Sequence, residues 1–252
     1  MREKIKFKNN KGQLLSAFLE LPEGEPLGYA IFAHCFTCNK NLTAVRNIGK
    51  SLNNNGIAVF KFDFTGLGES EGDFEDTNFT SNVGDLIAAA DYLKDNYKPA
   101  SILIGHSLGG AAVLLATNQI PSVKAVATIG APSNPSHVSH IFENSISEIK
   151  EKGIANLSIG GRPFKIKEQF LNDIKSQKVE EATANLGVPI LIFHSPIDTT
   201  VEVENAAKIY KSAKHPKSFI SLDKADHLLS DKEDSEFVGL MISTWSKRYL
   251  NK

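Results

Sequence analysis

The sequence predicts an α/β fold: a mostly parallel sheet of about eight strands, helices on both faces, and a helical cap inserted near its end. Three observations carry this. Short runs rich in β-branched and aromatic residues alternate with longer helical patterns, a G-x-S-x-G pentapeptide falls on one strand-to-helix junction, and one long interval breaks the alternation. A chain of 252 residues suits one such domain, expected over 1–252. With 41% hydrophobic and 23% charged residues it has an ordinary globular composition, and its net charge of −1 removes electrostatic steering to nucleic acid or an anionic bilayer. No apolar run approaches the ~18 residues of a membrane span. The start, MREKIKFKNN, lacks the apolar core of a secretory signal, so the expected location is cytoplasmic, with no nucleic-acid or membrane partner.

Taken in order, IKFKN and LLSAFLELP read as two strands joined by a turn around Asn9 to Gly12, an antiparallel edge. GYAIFAHC, IAVFKFDF, SILIGHS, VKAVATIGAP, PILIFHSP and KSFISLD are compact apolar runs, the kind required by a sheet covered on both faces. Helical patterns separate them at Leu42 to Asn53, Asn82 to Asn96, Leu108 to Gln119 and Val203 to Ser212, and an amphipathic helix from Glu236 to Leu250 closes the chain. From Asn134 to Leu186 only helical pattern shows, at His137 to Lys152 and Lys165 to Lys178 around GGRPF. A strand-free connection of about 50 residues is too long for an ordinary loop, so 134–186 is expected to be a cap over one end of the sheet.

Gly105-His106-Ser107-Leu108-Gly109 places Ser107 between the strand SILIGHS and a helix. Small flanking glycines permit a sharp turn, and the helix N-terminus beneath favours developing negative charge. A nucleophilic serine needs a base, and the base an orienting carboxylate. Of seven histidines, His34, His106 and His194 end or follow strands, His137 and His140 lie in the cap, and His215 precedes a strand. His227 alone follows the last strand, giving the chain order Ser, acid, His of a strand-borne nucleophile. Asp198, after PILIFHSP, sits at the carboxyl edge of the sheet and is the candidate acid; Asp223 and Asp226 are rivals closer to His227. Backbone N–H groups of Leu108 and Phe36 are the candidate oxyanion donors.

These motifs resemble an α/β-hydrolase over nearly the whole chain: GHSLGG, the glycine-rich FDFTGLGESEGDF at Phe62 to Phe74, HSPIDTTV as the acid loop and ADHLL as the histidine loop. More narrowly, FAHCFTCNKN, ATIGAP, GGRPF and AKHPKSFISLDKADHLL resemble the hydrolase half of bacterial hydrolase–OsmC fusion proteins, although no OsmC segment follows the last helix. The resemblance implies a serine hydrolase of the carboxylesterase type, acting on a small acyl substrate without a cofactor, with a functional link to an OsmC-type protein.

Cys35 and Cys38 are the two cysteines, too few for a disulfide framework. As small residues they are expected to line the acyl pocket. Their C-x-x-C spacing after a strand also raises an alternative, a thiol–disulfide or peroxide-linked activity. No second ligand pair accompanies His34, Cys35 and Cys38, so no metal is expected. His137 and His140 share a helix face and either look into the pocket or face solvent. Phe142, Phe164, Phe170 and Leu171 read as cap packing, and the acidic stretch Glu69 to Asp76 as a solvated loop.

Overall fold

The computed structural model describes residues 1–250; positions 251 and 252 of the expected domain lie outside the described residues. Along the chain run β1 (Arg2–Lys8), β2 (Leu14–Glu20), β3 (Gly28–Ala33), α1 (Thr43–Asn54), β4 (Ile57–Phe62), α2 (Phe79–Asn96), β5 (Ile102–His106) and α3 (Leu108–Ala116). Next come β6 (Ala125–Ile129), α4 (Ile146–Lys152), β7 (Ile154–Ile159), β8 (Arg162–Lys167), α5 (Glu168–Ser176) and α6 (Val179–Ala184). The chain finishes with β9 (Ile190–His194), α7 (Glu204–Ser212), β10 (Lys217–Ser221) and α8 (Lys232–Leu250).

Eight strands form one sheet in the order β1-β2-β4-β3-β5-β6-β9-β10. The β1–β2 and β2–β4 pairs are antiparallel and the remaining pairs parallel. Every residue of β4, β5, β6 and β9 is buried, which is why these segments read as unbroken apolar runs. Period-two alternation then divides the core. Phe32, Val59 and Ile104 pack on one face against Ile48 and Leu52 of α1 and Val238 and Ile242 of α8. Ile31, Phe60 and Leu103 pack on the other against Leu86 and Leu93 of α2 and Val113 of α3. A fully buried phenylalanine such as Phe60 is worth about 3–5 kcal/mol against alanine. Asn78 starts α2 through a reciprocal capping box with Ser81.

The interval between β6 and β9 differs from its sequence reading. It holds helical turns, but β7 and β8 pair as an antiparallel hairpin where only helical pattern was expected. Both strands are half-exposed, burying Ala155, Ile159 and Ile166, so neither carries a strong apolar run. Gly160 and Gly161 form the two-residue turn with φ of 57° and 75°. A Cβ would touch nothing at either position, so glycine is required there by backbone conformation alone. Phe142, Phe170 and Leu171 are buried, and Phe164 packs edge-on to Phe74 at 4.9 Å.

The acidic stretch is likewise not a free loop. Glu75 pairs with Lys165 and Lys167 of β8, at 3.2 and 3.3 Å, and Asp76 with Lys167 at 2.5 Å. Glu69 joins a buried cluster instead: Lys40 Nζ donates to Asp63 Oδ2 (2.5 Å) and Glu69 Oε2 (2.8 Å), with the Lys40 and Asp63 side chains wholly out of solvent. The backbone N–H groups of Lys40 and Glu69 also donate to the Asp63 carboxylate. This cluster ties the loop after β3 to the loop after β4.

Candidate active site

Parallel sheets assemble sites where strand carboxyl ends diverge, and here β5, β9 and β10 deliver three side chains to one place. Ser107 follows β5 with φ 55° and ψ −126°, a conformation that L-residues rarely adopt. Its N–H donates to Ile129 O at 2.8 Å, which braces the turn. The turn is sharp enough that a Cβ on Gly105 would strike the Gly109 backbone, and one on Gly109 the carbonyls of Ala33 and His34. The G-x-S-x-G glycines are therefore demanded by close approach.

The Ser107 hydroxyl lies 2.9 Å from His227 Nε2, and His227 Nδ1 lies 2.7 Å from Asp198 Oδ2. The second Asp198 oxygen accepts N–H bonds from Thr200 and Val201, at 2.8 and 2.9 Å, which aims the free oxygen at the imidazole. Burial alone would push the Asp198 carboxyl up; the bond from His227 and the two backbone donors overcome that and hold its pKa below the ordinary value. The rivals lie elsewhere, Asp226 accepting from Ser230 N. The N–H groups of Leu108, the residue after the serine, and of Phe36, which lines the same cavity, meet no acceptor among the described residues.

Three histidines that carry no chemistry in the sequence reading frame this line. His106 Nε2–H donates to the His227 carbonyl at 2.7 Å, and His194 Nε2–H to Val201 O at 2.7 Å, so each braces a loop bearing another site residue. His34 Nδ1–H donates to Cys35 O at 2.9 Å, and its Nε2 accepts from Phe64 N–H. Burial drives all three toward the neutral form, His106 down to about 3 and His34 to about 4. A second proton on His106 or His194 would sit on Nδ1, which faces no partner among the described residues. A histidine at a strand end gives no sequence sign of this bracing role.

Ser107 and His227 open into a cavity of about 760 Å³, also lined by Cys35, Phe36, Cys38 and Arg162. That volume suits a small organic molecule. Cys35 and Cys38 lie in this wall joined by a disulfide, a bond that their reading as small lining residues did not include. The tight turn in which Cys38 N–H donates to Cys35 O brings the pair together around Phe36 and Thr37. Of the two alternatives left open for His137 and His140, the structure does not favour the pocket, for neither is among the residues lining this cavity. His137 Nε2–H donates to Thr200 O and His140 Nδ1–H to His137 O, with the rings 4.7 Å apart. Among the described residues no side-chain cluster could hold a metal ion, and no helix is long and apolar enough to cross a membrane.

Known proteins resemble this chain in fold and sequence. The esterase domain of a Rhodothermus marinus protein superposes with a TM-score of 0.82 at 46% identity, covering 99% of each chain. By sequence, the human mitochondrial palmitoyl-protein thioesterase ABHD10 is 26% identical over 204 residues, 77% of this chain and 64% of that protein. YfhR of Salmonella typhi is 26% identical over 175 residues, 68% of this chain and 55% of its own length. The match thus spans little more than half the length of the curated relatives. The family described as serine aminopeptidase, S33, matches residues 30–174, a stretch that includes Ser107, while Asp198 and His227 lie beyond it. With more than half of the chain matched and a serine on a strand-to-helix turn of an eight-stranded α/β sheet, this chain belongs to the serine aminopeptidase S33 family of α/β-hydrolases.

Proposed function

We propose that the chain is a serine hydrolase of the carboxylesterase type, cleaving a small acyl ester without a cofactor. Ser107 attacks the acyl carbonyl while His227 Nε2 takes its proton, and Asp198 holds the imidazole in register and stabilises its charged form. The N–H groups of Leu108 and Phe36 stabilise the oxyanion, a contribution typically worth about 10²-fold or more. His227 then returns the proton to the leaving alcohol, and water, activated by the same imidazole, releases the acyl group from Ser107. The observation that carries this reading is the unbroken line of contacts from Ser107 Oγ through His227 to Asp198, at 2.9 and 2.7 Å.

In this reading residues 134–186 act as a cap, with the β7–β8 tip over the cavity mouth. A cytoplasmic location and a functional link to an OsmC-type protein belong to the same proposal. The link is supported by the shared motifs. A thiol–disulfide activity is the second reading, favoured by one observation: Cys35 and Cys38 are already bonded in the wall of the cavity.

Fluorophosphonate labelling followed by peptide mapping tests the proposal. One adduct on Ser107, much slower to form in His227→Ala, is the expected result, and Ser107→Ala should lose about 10⁴-fold or more of ester turnover. Undiminished turnover in a clean Ser107→Ala preparation would overturn it and turn attention to Cys35 and Cys38.

A further inference from the structure

Among the described residues, one formal cation and no carboxylate line the cavity that holds Ser107. The cation is Arg162, the first residue of β8, directly opposite Ile159 across the diglycine turn. Its guanidinium donates to the carbonyl of Thr37, next to Phe36 in the loop after β3. It also lies over the Phe164 ring, 5.4 Å from the centroid. No acidic side chain pairs with it. By contrast, Lys165 and Lys167, further along the same strand, are each matched to Glu75, and Lys167 also to Asp76.

A guanidinium offers five N–H donors in a planar fork, and Thr37 uses part of it. The remaining donors are held at a cavity wall by a two-residue turn, a backbone acceptor and an aromatic ring. Such a fork matches the two oxygens of a carboxylate. A cavity whose wall holds one anchored arginine with no acidic partner, and no carboxylate, discriminates by charge: it favours an anionic group over a cation at that wall.

We propose that Arg162 is a specificity-determining residue of the Ser107 cavity, and that the preferred substrates are acyl esters carrying a carboxylate. The inference rests on the serine-hydrolase reading and names its substrate class. The carboxylate docks on the Arg162 fork while the scissile carbonyl sits at Ser107, with no change in the chemical steps.

The test compares kcat/KM for two matched pairs of esters. Mono(4-nitrophenyl) glutarate and its methyl ester differ by a charge on the acyl side; 4-acetoxybenzoate and its methyl ester differ by a charge on the leaving group. Within at least one pair, wild type should prefer the anionic member, and Arg162→Gln should lower that preference about tenfold, the scale of one charge-assisted hydrogen-bonded contact at a partly solvated site. Arg162→Lys, which keeps the charge but not the fork, should fall between them. The pair that responds identifies which end of the substrate meets the arginine. An anionic-to-neutral ratio identical in wild type and Arg162→Gln for both pairs overturns the inference. So does an equal loss on all four esters, which would make Arg162 only an anchor for Thr37. Ser107→Ala runs alongside: turnover that survives it removes the serine reading and this inference with it, whereas serine-dependent turnover without arginine-dependent discrimination removes the inference alone.

Discussion

Moving the protein from about pH 7.5 to about pH 5 should remove on the order of 4 kcal/mol of folding stability, before most carboxylates titrate. The cause is His34 and His106, both fully buried and held neutral, with pKa values depressed to about 4 and about 3. The unfolded chain protonates both rings below about pH 6.5 while the folded chain does not. Their contribution is therefore complete above that value and is lost as pH falls toward the folded-state values. At about pH 5 the gap from 6.5 is worth roughly 2 kcal/mol per ring. His194, also lowered by burial, acts in the same direction. Domains of ordinary stability have about 5–15 kcal/mol in total, so the loss should be plain in equilibrium urea unfolding as a midpoint shift of about 1–2 M. His106→Asn should remove about half of the pH dependence, whatever it does to stability at neutral pH. A difference under about 1 kcal/mol between the two pH values would refute the reasoning, because both rings would then have to take up a proton in the fold.

Two further outcomes follow from other parts of the structure. Lys40→Met keeps side-chain length but strips the cation from a carboxylate with no solvent access; with two backbone donors still on Asp63, the cost should be about 3 kcal/mol, or roughly 6–12 °C in calorimetric Tm. Glu69→Gln should move the Tm far less, since that side chain is 48% exposed, and equal shifts from the two variants would overturn the account. Cys35→Ser and Cys38→Ser should keep most ester turnover and lose about 2 kcal/mol of stability, the chain-entropy value for so short a loop. Loss of turnover with an intact circular dichroism spectrum would mean that the bridge holds Phe36 in working position.

The sheet and the serine were legible because their physics is local. Fully buried strands must be apolar at every position, and the Ser107 turn needs glycine on both sides for close approach, so both leave marks in the sequence. His227 and Asp198 were legible by position, each following a strand that ends at the same edge. The β7–β8 hairpin was missed because half-exposed strands of six residues show little apolar pattern, although its Gly160-Gly161 pair was a turn signal. Arg162 was missed with it, since its importance comes from what it does not pair with. Lys40 and His194 were illegible for a deeper reason. A lysine in a polar loop looks solvated until a carboxylate 23 positions away proves to be buried against it, and a bracing histidine resembles any other.

The fastening of that hairpin shapes how the cavity behaves in time. Ala155 and Ile166 seat it in the core, while its outer edge is fastened by ion pairs whose side chains remain between 25% and 61% exposed, contacts that water and salt weaken readily. β5, which carries Ser107, is buried at every residue and opens only with the whole sheet. The molecule thus has two levels of local stability: a central strand that stays rigid and a hairpin whose outer edge is held by contacts open to water. If the hairpin tip covers the cavity as proposed, substrate entry and product escape are events of that outer edge, and the rate at which it loosens can govern turnover even when bond making at the serine is fast.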